Sequence, residues 1–143
     1  MADTLTSNLK LTNQTEGANA NTWGTIADTN FEEIDDKFGD TTDISTTGGN
    51  TTLSEEQERV AAVQVAGTLV SNSVVIFSGR GGVWVIENNT AGSFTLTAKV
   101  SGQTGVEIPQ GSAAIVFCDG TDIFYGNPPA ANIPPPLPGG HSN

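Results

Sequence analysis

From residue 74 to residue 126 the chain repeats one pattern, a short run of β-branched and aromatic residues closed by a turn, and this repetition limits the fold more than any other feature. The runs are VVIF (74–77), VWVIEN (83–88), SFTLTAKV (93–100), AAIVFCD (113–119) and DIFYG (122–126). Between them stand Ser78-Gly-Arg-Gly-Gly, Asn88-Asn-Thr-Ala-Gly and Asp119-Gly. Such runs fit a pleated surface and such turns close hairpins. Phe94, Leu96 and Ala98 alternate with Thr95, Thr97 and Lys99, the signature of a strand with one polar face. Residues 74–77 and 115–117 are apolar throughout, as in strands covered on both sides. The expected fold is mainly β, a small antiparallel β-sandwich or prism-like domain.

Ahead of this region the period changes. In NANTWGTIADTNFEEIDDKF (19–38), Trp23, Ile26, Phe31, Ile34 and Phe38 recur at helical spacing, and Glu32, Glu33, Asp35 and Asp36 fall largely between them. Gly39 follows as a stop. One amphipathic helix is expected from about residue 22 to 38, with an aromatic face too large for a lone helix to leave in water. Residues 1–20 contain few large apolar groups and read as an extended arm that orders against a partner, with Leu5, Leu9 and Leu11 as its anchors.

Residues 41–52 (TTDISTTGGNTT) form a turn-rich cluster and the natural internal boundary. In LSEEQERV, Ser54 precedes Gln57 by three residues, with Glu55 and Glu56 in between, which predicts a capping box and a short helix near 54–59. The end of the chain, GNPPAANIPPPLPGGHSN, is rich in proline and almost free of charge, favouring an extended polyproline conformation with Ile133 and Leu137 as its only large apolar residues. The organisation expected is therefore arm and anchoring helix (1–44), β-domain (45–127) and proline-rich tail (128–143).

Length and composition add a requirement for burial between chains. The 143 residues suit one domain, yet only 36% are hydrophobic, and 17 Gly and 7 Pro dilute them further, so a lone chain has little apolar area to bury. A homo-oligomer is expected. The net charge is -11, with 12 acids and 3 bases in residues 1–60 but 4 acids and 2 bases in residues 61–143. Lys10, Lys37, Arg59, Arg80 and Lys99 are too few to neutralise a run of phosphates, which argues against nucleic acid or an anionic membrane as partner. The start, MADTLTSNLK, lacks the basic and apolar regions of a secretory signal. The uncharged stretch between Arg59 and Arg80 is broken by Gln64, Gly67, Thr68, Ser71, Asn72 and Ser73 and is not a membrane span.

Groups that could carry catalysis are sparse, and no enzyme activity, cofactor or metal is expected. His141 stands in a Gly/Ser/Asn tail, where nothing would fix its tautomer. SGRGG (78–82) lacks the helix and Lys-Ser/Thr of a phosphate loop. Asp35 and Asp36, adjacent on a helix, diverge by about 100°. Asp119 and Asp122 flank a turn without the further oxygen ligands of a calcium loop. Cys118, the only cysteine, follows small and apolar residues and reads as a buried thiol, and no intrachain disulfide is possible. Trp84 could stack on a sugar or lie in the core.

Two stretches resemble a known family. In NLKLTNQTEGANANTWGTIADTNFEEID (8–35), a Leu-Thr, an Asn just ahead of Trp-Gly and an Asn-Phe-x-x-Ile-Asp follow in the order found near the start of many tailed-bacteriophage tail-fibre and related virion proteins. TLSEEQERV to CDGTDI (52–123) is similar to the β-domain that often follows there. The resemblance implies a homotrimeric virion appendage whose N-terminal region docks on the particle. The residues themselves point to Leu9, Leu11, Trp23, Ile26, Phe31, Ile34 and Phe38 as the partner contacts, with Ile133 and Leu137 as further contacts if the proline-rich segment docks and is not a solvated tail. The chain ends soon after the β-domain, favouring a short tail fibre, anchor or adaptor. The alternatives are a capsid decoration or head-fibre protein and, from another class, a carbohydrate-binding module that contacts a host glycan through Trp84 and Tyr125. A depolymerase is the weakest, since two convergent acids cannot be placed in one cleft.

Overall fold

The computed structural model describes residues 2–126, and the proline-rich segment with Ile133 and Leu137 lies outside them. The chain opens with a hairpin of β1 (Thr4–Leu5) and β2 (Thr12–Asn13), then α1 (Trp23–Gly39). Next come β3 (Thr41–Ser45), β4 (Gly49–Thr52) and the short α2 (Glu55–Glu58). The remaining strands are β5 (Ala62–Thr68), β6 (Ser73–Phe77), β7 (Gly82–Ala91), β8 (Leu96–Val100), β9 (Val106–Glu107), β10 (Ala113–Cys118) and β11 (Ile123–Tyr125). Mainly β is correct, but the antiparallel expectation is only partly met.

The strands from β3 to β8 alternate between two sheets, one ordered β11-β10-β7-β5-β3 and the other β4-β6-β8-β9. Each strand pairs in parallel with the strand after next: β3 with β5, β5 with β7, β4 with β6, and β6 with β8. From β3 onward the chain therefore winds as a flattened coil whose C-terminal part alone folds back antiparallel, through β9 on β8 and the β10–β11 hairpin on β7. The glycine turns gave the misleading signal. A turn such as 78–82 bends the chain, but whether the next strand pairs with the last or crosses to the opposite sheet depends on which apolar faces then meet.

Residues 41–52 are likewise not a linker. They form β3 and β4, the first turn of the coil, and the expected boundary after residue 44 falls inside β3. The overlooked signal is alternation, since Thr42 and Ile44 are buried while Thr41, Asp43 and Ser45 are exposed. Stacked rows fill the interior. Thr42, Val63 and Ile86 stand side by side in register, as do Ile44, Val65 and Asn88. They face Val75, Phe77, Leu96 and Ala98 of the other sheet in one continuous core. Gly67 serves a corner of the coil: its φ is +127°, and a Cβ there would meet the Thr46 carbonyl oxygen at 2.0 Å. Asn88, fully buried, closes the last turn of the coil. It donates to the Ile108 carbonyl at 2.7 Å and accepts from the Thr90 amide and hydroxyl.

The helices match expectation. Thr22 is the N-cap of α1, and Ser54 and Gln57 form the predicted capping box on α2. The extended arm does not match. Residues 2–22 fold locally, with Asp3 accepting from the Thr15 amide at 2.8 Å and from Asn19 Nδ2 at 2.7 Å. Polar side chains that looked idle in the sequence hold this hairpin together.

Candidate docking site on the N-terminal helix

Helix α1 is fastened to the rest of the molecule by a polar face. Asn30, Glu33 and Lys37 recur three and four residues apart and so share one side of it. Asn30 makes a reciprocal pair with the backbone of Thr12, accepting from its N–H and donating to its carbonyl, both at 2.8 Å. Glu33 lies 3.7 Å from Arg59, whose Nε donates to the Leu9 carbonyl at 2.7 Å. Lys37 Nζ donates to the carbonyls of Val60 at 3.0 Å and Val83 at 2.9 Å, and sits 4.2 Å from the centre of the Trp84 ring.

Under this face lies a charged junction. Glu58, at 4% exposure, accepts from the amide and hydroxyl of Ser78 and approaches Arg80 at 3.4 Å. Arg80 also donates to the Asn8 carbonyl at 3.3 Å, so β-domain, α2 and hairpin meet at one point. The cavity here is about 10 Å³, too small for a ligand. Trp84 is 3% exposed, packs on Phe77 with ring centres 4.8 Å apart, and donates from Nε1 to the Glu58 carbonyl at 2.8 Å. It is a core residue and offers no free face to a sugar. Tyr125 is half-buried, with its hydroxyl on the Glu107 carbonyl. Gly82 makes room for this indole, since a Cβ would stand 2.7 Å from its Cη2.

Burial pulls the Lys37 ammonium down to about 8, and the Glu58 carboxylate opposes it. The unfolded chain therefore holds a proton that the folded chain has released between pH 8 and about 10.5, so this group makes stability rise with pH across that window. Urea unfolding of wild type and Lys37→Met at intervals from pH 7.5 to 10 should show a stability difference that changes with pH in this direction; a constant difference would remove Lys37 as the cause.

The aromatic stripe that the sequence placed on the helix is left uncovered. No residue of α1 is buried; Trp23, Phe31 and Phe38 are 63%, 68% and 80% exposed, while Ile26 and Ile34 are half-buried. Leu9 and Leu11 are half-buried, whereas Leu5 is exposed. Helix geometry gives part of the reason: Phe31 and Phe38 stand roughly a quarter turn or more around the helix from Asn30, Glu33 and Lys37, so the contacts made by that face leave both rings in solvent.

Of the carboxylates considered as cation ligands, Asp119 and Asp122 are engaged by backbone amides. Asp119 accepts from the amides of Thr121 and Asp122, and Asp122 from those of Val100, Gly105 and Ile123. Among the described residues no helix is long and apolar enough to cross a membrane. No protein-family model, curated protein or solved structure matches the chain. The uncovered stripe on an anchored helix is the candidate docking feature. Asn30, Glu33, Lys37 and Arg59, which fasten the helix, were given no contact role in the sequence, where single polar residues give no sign of a partner many positions away.

Proposed function

We propose that this chain is a structural protein of a tailed-phage virion, a short tail fibre or fibre anchor, which docks by its N-terminal region and trimerises through its β-domain. The observation that carries this reading is the row of Trp23, Phe31 and Phe38, left exposed on a helix whose adjoining face is bonded to hairpin and β-domain. Large aromatics exposed in a row mark contact surfaces. The virion-like motifs support the reading, because Thr12 of the Leu-Thr and Asn30 of the Asn-Phe-x-x-Ile-Asp are the residues joined by the reciprocal pair. The sugar-binding alternative loses its main residue, since Trp84 is enclosed.

The test is direct imaging of purified particles that carry a tagged copy of the protein. Density or label at the tail is the expected result. Label spread over the head would favour the capsid decoration reading, and particles without the protein would overturn both.

A further inference from the structure

One surface outside the helix has no function so far. On the five-stranded sheet, alternate residues of β7, β10 and β11 face outward, and Val83, Val85, Ile115, Phe117 and Phe124 among them are 38–57% exposed. Register makes them neighbours: Phe117 pairs with Val83 on one side and Phe124 on the other, and Ile115 pairs with Val85. The Phe117 and Phe124 rings lie 5.7 Å apart. The next outward row holds the small Ala113 and then the polar Glu87, Gln64 and Asp43, so the large apolar side chains form one corner of the sheet. This is where the sequence called for cover on both sides and where the folded chain gives cover on one.

We propose that this corner, centred on Phe117, packs against the same corner of a second copy of the chain. The inference rests on the reading of a trimerising β-domain given above and names its surface.

Charge favours a second copy over other occupants. The chain carries a net charge of -11, so two copies approaching by most faces bring like charges together. Around the axis of a symmetric assembly each residue meets its own copy, so an acidic patch is excluded there and an uncharged apolar one is suited to it. The five corner residues carry no charge. A stable interface covers about 800 Å² per partner, more than five half-exposed side chains supply. Lys37, bonded to the Val83 carbonyl, brings the last turn of α1 to the border of the corner, where Phe38 can extend it.

Light scattering on the full chain should return a multiple of 14.7 kDa. An Ile115→Glu, Phe117→Glu variant should return the single-chain mass with unchanged circular dichroism, because both side chains point away from the core. A Trp23→Glu, Phe31→Glu variant should keep the wild-type mass. Should the first variant not fold, oxidation of Cys118→Ser carrying Phe117→Cys should give linked dimers, and the same background with Val70→Cys, also exposed, should not. A monomeric wild type, an unchanged mass for the Ile115/Phe117 variant, or equal cross-linking from positions 70 and 117 would each overturn the proposal. Removing residues 127–143 tests the remaining occupant: if the truncated chain becomes oligomeric where the full chain is monomeric, the tail covers the corner. Particle incorporation is scored separately, so a chain that associates by this corner yet is absent from particles would refute the virion reading and leave this one standing.

Discussion

Replacing Trp23 and Phe31 together with alanine should abolish incorporation into particles while leaving the β-domain as stable as before. Both rings are more than half exposed, so the folded chain loses little burial, and exposed substitutions of this kind fall within roughly 0.5 kcal/mol. At a contact the same rings would contribute about 2 kcal/mol each, together about a thousandfold in affinity. The measurement is the amount of variant in purified particles beside its thermal unfolding in solution. Normal incorporation would remove the stripe from the docking site. A fall in the unfolding temperature by several degrees would mean instead that the rings support the chain's own fold.

The largest effect on stability is expected at Asp122. Its carboxylate, 7% exposed, accepts from the amides of Gly105 at 2.8 Å, Ile123 at 2.7 Å and Val100 at 3.3 Å. It thereby ties the end of β8, the loop after it and the start of β11 to one anion. Asp122→Ala would leave these donors without their acceptor, at a cost of about 3 kcal/mol or more. Burial pushes the Asp122 carboxyl up, but the amides of Gly105, Ile123, Val100 and Thr104 together outweigh it and hold the group below its usual range. A carboxyl lowered in the folded state stabilises above its unfolded pKa, and that stability is lost as pH falls through the folded value. Urea unfolding should therefore show wild type weakening below about pH 4, with Asp122→Asn showing less of that dependence. Equal acid sensitivity in the two proteins would place the titrating group elsewhere.

Local features were legible in the sequence. The capping box of Ser54 and Gln57, the span of α1, its aromatic stripe and most strands past residue 73 depend on residues within a few positions of one another. Spacing and side-chain type report such features directly. The direction of pairing did not follow, because parallel and antiparallel strands draw on the same β-branched residues, and a glycine turn serves either. Only the stacking of Thr42 on Val63 and Ile86, and the enclosure of both sheets around Phe77 and Trp84, decided for a coil. The outward aim of Trp23, Phe31 and Phe38 was also a tertiary outcome. It depends on Asn30 finding Thr12, Glu33 finding Arg59, and Lys37 reaching Val60 and Val83, and hydrogen bonds across such separations leave no periodicity in the chain. The sequence determined which side chains needed cover; the fold decided which of them received it, because one set of polar contacts fixed the face that the helix turns inward.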